Sequence, residues 1–349
     1  MARKKYSVMK KRNKIQPSVM TLNLAGPSTP AGIPIRWTVD LSQVASLVNR
    51  RFYRQGLNWA VAGFKVTSAG VGIAPNPAGD VVITSLPNTW VTSNAWEKAF
   101  RAWNKQQKDD LDEAGGQSAM AKFRDFKVFL DATHVDEYIA NGSDLNQTNL
   151  LPLAVDSGLN YLIANGGEWE PSQIVVPNTQ ADASGSLILP REYLLHMVGI
   201  NNHAGLSRGV LEGYADSRSY PQSPDPVAPD LGSGENWLRD MFNVGDDNSE
   251  VIRNATDKND ELPYPQIIYP GGEIQMPGLQ LHDFVNLFET NITNGLSIQR
   301  LKGGNFPCGL MGITWTPASD AESNSNLLIQ IDLVPGNHRG YLCEPMTEM

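Results

Sequence analysis

LNWAVAGFKVTS, residues 57–68, is the stretch on which the fold turns. Its density of aromatic and β-branched residues makes it a strong strand signal. Downstream, Asp80–Leu86 (DVVITSL) is a second strand, reached through a surface turn holding Pro75, Pro77 and Gly79. Upstream, Ile33, Ile35, Trp37 and Val39 fall on one face of a strand. Between Leu41 and Gly56 the period changes. Val44, Leu47 and Val48 follow helical spacing, with Phe52 four further on. Asp40 or Ser42 can cap this helix and Gly56 can end it. Arg50, Arg51 and Arg54 are then expected in its last turns, where cations suit the helix dipole, rather than forming a phosphate site.

A second helix is signalled by the capping-box pair Asn94 and Glu97. Trp96, Phe100 and Trp103 recur at helical spacing, which predicts a buried face rather than a base-stacking platform. Lys105–Gln117 reads as a loop. In Ala119–Leu130, Phe123, Phe126 and Leu130 fit a helix and Phe126, Val128 and Leu130 a strand, and the short apolar run favours a strand in the second half. Further strands are expected at Asn160–Ile163, Gln173–Val176, Leu187–Leu189, Leu194–Ile200, Gln266–Tyr269 and Leu296–Leu301. Gly309–Thr316 (GLMGITWT) and Asn326–Val334 (NLLIQIDLV) alternate as a hairpin across a Ser/Asp/Asn-rich loop. Pro335-Gly336 then turns the chain, which makes His338 and Arg339 turn residues. Many short strands, few helices and 31 glycines with 23 prolines predict a mainly β, antiparallel sandwich with long loops.

The formal charge of −9 conceals a split. Arg3, Lys4, Lys5, Lys10, Lys11, Arg12 and Lys14 form a basic arm, and no acid precedes Asp40. Beyond residue 54 there are 17 basic against 36 acidic residues, a net of −19. A cationic block stays extended and gains free energy by releasing counterions from a polyphosphate. The seven arm residues are therefore the candidate nucleic-acid-binding set, with Arg50, Arg51 and Arg54 as secondary candidates behind them. A solubilising tail or an import signal fits the same charge. Residues 15–32, with Pro17, Pro27 and Pro30, read as a linker. The domain plan is arm and linker at 1–32 and one shell domain at 33–349. Residues 212–261 carry 12 acids against four bases and form an expected acidic surface excursion.

No enzyme motif emerges. There is no phosphate-cradling P-loop, nucleophile elbow or complete dinucleotide fingerprint. His134 and Glu137 lack a second ligand pair, so no metal and no cofactor are expected. Asp246, Asp247, Asn248 and Glu250, or Asp257, Asn259, Asp260 and Glu261, read as solvated loops before they read as calcium sites. Cys308 and Cys343 are expected to be buried, reduced thiols. No apolar run reaches the roughly 18 residues a membrane helix needs, and no secretory signal is expected.

Three stretches carry a resemblance: MARKKYSVMKKRNK (1–14), NRRFYRQGLNWAVAGFKV (49–66) and LLIQIDLVPGNHRGYLCEPM (327–346). Together they resemble the capsid proteins of small circular, replication-initiator-encoding single-stranded DNA viruses. The resemblance implies an eight-stranded jelly roll and an icosahedral shell of many copies of the chain. It also implies an arm lying against a single-stranded DNA genome inside the virion, with assembly passing through the host nucleus. The length also permits two small jelly rolls in tandem. The competing expectation is a β-sandwich attachment protein that binds a receptor or carbohydrate and does not need residues 1–14.

Overall fold

The computed structural model describes residues 18–27, 29–70, 78–113, 124–155, 161–163, 166–176, 191–200, 206–218, 278–288, 298–318 and 325–349. The stretch that opened the reading forms β3 (Leu57–Gly70). Trp59, Val61, Phe64 and Val66 are buried, so its inward set moves from odd to even positions near Ala62. A bulge causes the shift. Val61 and Gly63 sit opposite Leu333 and Asp332, which leaves Ala62 as the extra residue. Gly303 fits on the other flank, where a Cβ would lie 2.1 Å from the Val61 carbonyl oxygen.

β3 lies inside a sheet of order β1 (Thr21–Ala25), β14 (Ser325–Leu333), β3, β12 (Gln299–Phe306), with β17 (Cys343–Pro345) also on β3. The second sheet runs β11 (Gln280–Leu287), β4 (Gly79–Ser85), β13 (Leu310–Pro317), β2 (Ile35–Asp40). Every pairing in both sheets is antiparallel. Their inner faces share one core that includes Leu22, Trp59, Phe64, Ile329 and Ile331 from one sheet and Val39, Ile83, Met311 and Trp315 from the other. From β1 to β14 successive sandwich strands change sheet, except β4 and β11, which are neighbours in the second sheet. The registers put the β1–β2, β3–β4, β11–β12 and β13–β14 connections at one end, and the β2–β3, β4–β11 and β12–β13 connections at the other.

The β4–β11 connection holds a second layer. α2 (Trp90–Glu113) buries Val91, Ala95, Trp96, Ala99, Ala102 and Trp103. They pack with Tyr193, Leu195 and Met197 of β9 (Arg191–Val198) and with α5 (Val210–Arg218). β9 pairs in parallel with β5 (Phe129–Asp131) and β10 (Ser207–Gly209), and antiparallel with β8 (Gln173–Val176). Beneath the other face, Phe129 and Leu194 meet Val135 of α3 (Ala132–Ala140), Leu145 and Trp169. Among the described residues no helix is long and apolar enough to cross a membrane.

Several expectations are corrected. β13 and β14 do not form a hairpin but belong to opposite sheets, because period two sets a face and not a partner. The stretch read as linker contains β1. The polar segment from Lys105 to Glu113 continues α2, which begins at Trp90, ahead of the capping-box pair. β11 was not foreseen, and the parallel pairs of the inserted layer depart from a purely antiparallel reading. The expected strands at 187–189 and 266–269, and the calcium candidates at 246–261, lie outside the described residues, as does the acidic excursion beyond Arg218.

Candidate nucleic-acid interface

The seven arm residues also lie outside the described residues. The point where the arm leaves the body is described, and it is cationic. It begins with α1 (Leu41–Asn49). Asp40 Oδ1 accepts from the amides of Ser42 (2.9 Å) and Gln43 (3.3 Å), so Asp40 is the cap. The helix ends at Asn49. Arg50 takes a left-handed conformation (φ 53°), and its amide donates to the Ser46 carbonyl. Arg50, Arg51 and Arg54 thus lie beyond the helix, not in its last turn, which corrects the helix-dipole expectation for them.

Past Arg50 the side chains divide. Tyr53 and Gln55 are buried, whereas Arg50 and Arg54 are exposed and Phe52 is half-buried. Tyr53 packs against Trp59 and Tyr341, with ring centroids 5.8 and 5.5 Å away. Gln55 Nε2 donates to Asp40 Oδ2 and to the Val128 carbonyl, and its Oε1 accepts from the Val128 amide. These two anchors fix the backbone that presents the arginines.

The C-terminal turn completes the cluster. β15 (Pro335–Gly336) pairs with β16 (Gly340–Tyr341), and Arg339 between them is also left-handed (φ 51°). Its carbonyl accepts from Ser18 Oγ (2.7 Å) and Tyr53 Oη (3.1 Å), and its guanidinium donates to the Phe52 carbonyl. Arg51 Nη1 lies 3.4 Å from Ser18 Oγ. Val19 is held from both sides, by Asn49 Oδ1 on its amide and Tyr341 Oη on its carbonyl. The first described residues are therefore pinned between Arg51 and Arg339.

The cations continue onto the inserted layer. The Arg54 guanidinium lies 5.8 Å from the Phe52 ring centroid, and its Nη1 donates to the Arg124 carbonyl at 2.5 Å. Arg124 stacks over Trp103 and Lys127 over Trp169, each at 4.6 Å. Burial lowers the pKa of Arg124, and that of Lys127 against the opposing pull of Asp125. Asp125 lies 3.8 Å from Arg54; burial raises its pKa, while the Gln55 amide, Lys127 and Arg54 pull the other way. The site is a collar of Arg50, Arg51, Arg54 and Arg339, with Arg124 and Lys127 flanking it. Sequence reading singled out the first three residues and missed the others. Nothing local tied Arg339 to those three.

The chain matches no family model, no curated protein and no solved structure.

The remaining candidates fall into structural places. His134 is buried, accepts from the Leu130 amide on Nδ1 and meets Asn149 Oδ1 through Nε2 at 2.8 Å. Burial holds its pKa down at about 4. Both ring nitrogens are engaged, which leaves no lone pair for a metal. Among the described residues no group of three or more His, Cys, Asp or Glu side chains could hold a metal ion. Cys308 is buried and Cys343 partly buried, and both are free. Burial raises both thiol pKa values, which makes them poor nucleophiles. Trp96 and Trp103 are buried, and Phe100 is partly buried against the same core.

Proposed function

We propose that this chain is the subunit of a viral shell, with a jelly-roll body, that encloses single-stranded DNA and neutralises it with its basic arm. The strand order carries the reading. With the three-residue β17 set aside, the other eight described strands of the two sheets pair, counted along the chain, first with eighth, second with seventh, third with sixth and fourth with fifth. Such nested pairing, with successive strand pairs falling in alternate sheets, supports reading the sandwich as a jelly roll. The described chain begins at Ser18 beside the arginine collar, so the arm is attached at the collar. The residues beyond 54 are net negative, which disfavours phosphate contact with the body at large.

Electron microscopy and light scattering of the purified full-length chain test this. Closed particles of uniform diameter containing nucleic acid are expected. A monomer at every salt and pH, free of nucleic acid, would overturn it.

A further inference from the structure

We infer that the folded body carries its own phosphate-backbone site, the collar of Arg50, Arg51, Arg54 and Arg339, which takes up a single strand where the arm begins. The inference rests on the proposed packaging function and adds to it a site that is independent of the arm.

Four observations support it. The collar concentrates cations on a body where acids outnumber bases by 36 to 17 beyond residue 54. Its backbone is fixed from within by Tyr53, Gln55 and the two hydroxyls on the Arg339 carbonyl, so the main chain that presents the charges is ordered before any ligand arrives. Two of the four guanidinium groups sit on left-handed residues, Arg50 at φ 53° and Arg339 at φ 51°. Glycine or asparagine occupies that conformation more easily, so arginine there adds charge at a local conformational cost. Lastly, the aromatic rings serve as packing. Trp169 and Trp103 are each 6% exposed, whereas Arg50, Arg54 and Arg339 are exposed and Arg51 is half-buried. Planar guanidinium donors recognise phosphate oxygens and carry little base information. Arg36 is excluded, because both its terminal nitrogens are committed to Asp131 at 2.7 and 2.6 Å.

The test uses full-length chains and an unstructured oligothymidylate, with fluorescence anisotropy followed against salt. One variant replaces all seven basic arm residues with glutamine. A second carries Arg50→Asn and Arg54→Gln, a third combines both sets, and Lys302→Gln, on a distant strand, is the control. The arm-neutralised chain is expected to keep measurable, salt-dependent binding that the combined variant loses. Arg50→Asn/Arg54→Gln alone should flatten the slope of log affinity against log salt by about 1.4, from roughly 0.7 per single-strand phosphate contact. Thermal stability of that variant should be retained, because asparagine suits the left-handed position. Loss of all binding on arm neutralisation, or an unchanged slope in the collar variant, overturns the collar. Particle formation is scored separately: particles with an unchanged slope overturn the collar but leave the shell reading, and binding without particles does the reverse.

Discussion

The sandwich and the inserted layer each bury a hydrophobic core, yet they draw it from the chain in different ways. The sandwich joins residues 21–85 to residues 280–345, so nearly every ladder closes a long loop. The inserted layer is drawn mostly from residues 86–218, with helices against a small sheet. The two share apolar packing, since Cys308, Leu310 and Met346 belong to the insertion's core, and polar contacts bridge them as well. Arg36 forks onto Asp131, and Asp40 accepts from both Gln55 and Trp169 Nε1. The Ser93 hydroxyl donates to the Met346 carbonyl. The insertion is therefore joined to the sandwich by packing and by directional contacts, and the latter break at single residues.

The largest separation is expected from a matched pair of truncations. Trp59→Ala empties the sandwich core and should cost about 3–5 kcal/mol, with amide protection lost in both regions. Trp103→Ala removes the same side chain from the insertion, and exchange should rise in α2 and β9 while β3 and β14 stay protected. Simultaneous loss in both variants would show one cooperative unit and erase the distinction. Next in size, Asp131→Ala removes the partner of a largely buried Arg36 and the cap of α3. It should cost about 2–4 kcal/mol by denaturant titration, less than Trp59→Ala.

The acid response should also separate the regions. Burial holds His134 and His196 at about 4, well below the ordinary value of 6.5. The unfolded chain then binds more protons between about pH 4 and 6.5, so these two groups make stability rise with pH through that window. Asp40, pushed up to about 6 by burial, acts in the opposite sense: the native state binds the extra proton, and its contribution falls as pH rises from about 4 to 6. Two imidazoles outweigh one carboxyl, so a net gain on raising pH is expected. Both histidines belong to the insertion, so acid should loosen it before the sandwich. Exchange protection measured at pH 4.5 and 7 checks this. The smallest effect belongs to the collar. Arg54→Gln, at a side chain 57% exposed, should change stability by less than about 1 kcal/mol.

The sequence made some of this plain and concealed the rest for identifiable reasons. β3, β13 and β14 were legible because their apolar residues alternate or cluster strongly. β11 was not. Its bulge between Leu281 and Asp283 breaks the alternation, and it exposes Leu281 and Phe284 on its outer side. The polar end of α2 looked like a loop because a solvent-facing helix has no apolar stripe to reveal it. At the candidate site the charges of Arg50, Arg51 and Arg54 were readable, but their setting was not. The left-handed turn at Arg50 removes them from the helix, and Arg339 joins them through contacts that span most of the chain.

The position of β3 has a consequence for synthesis. It is complete when residue 70 is made, but its ladder partners lie at residues 299–345. At roughly 5–20 residues per second, a ribosome leaves that strand waiting on the order of ten seconds or more. During that interval its Trp59, Val61, Phe64 and Val66 have no sheet to join, and neighbouring nascent chains on one message present the same uncovered edge. Crowded translation is thus the stage at which this protein is most exposed to pairing with the wrong copy of itself.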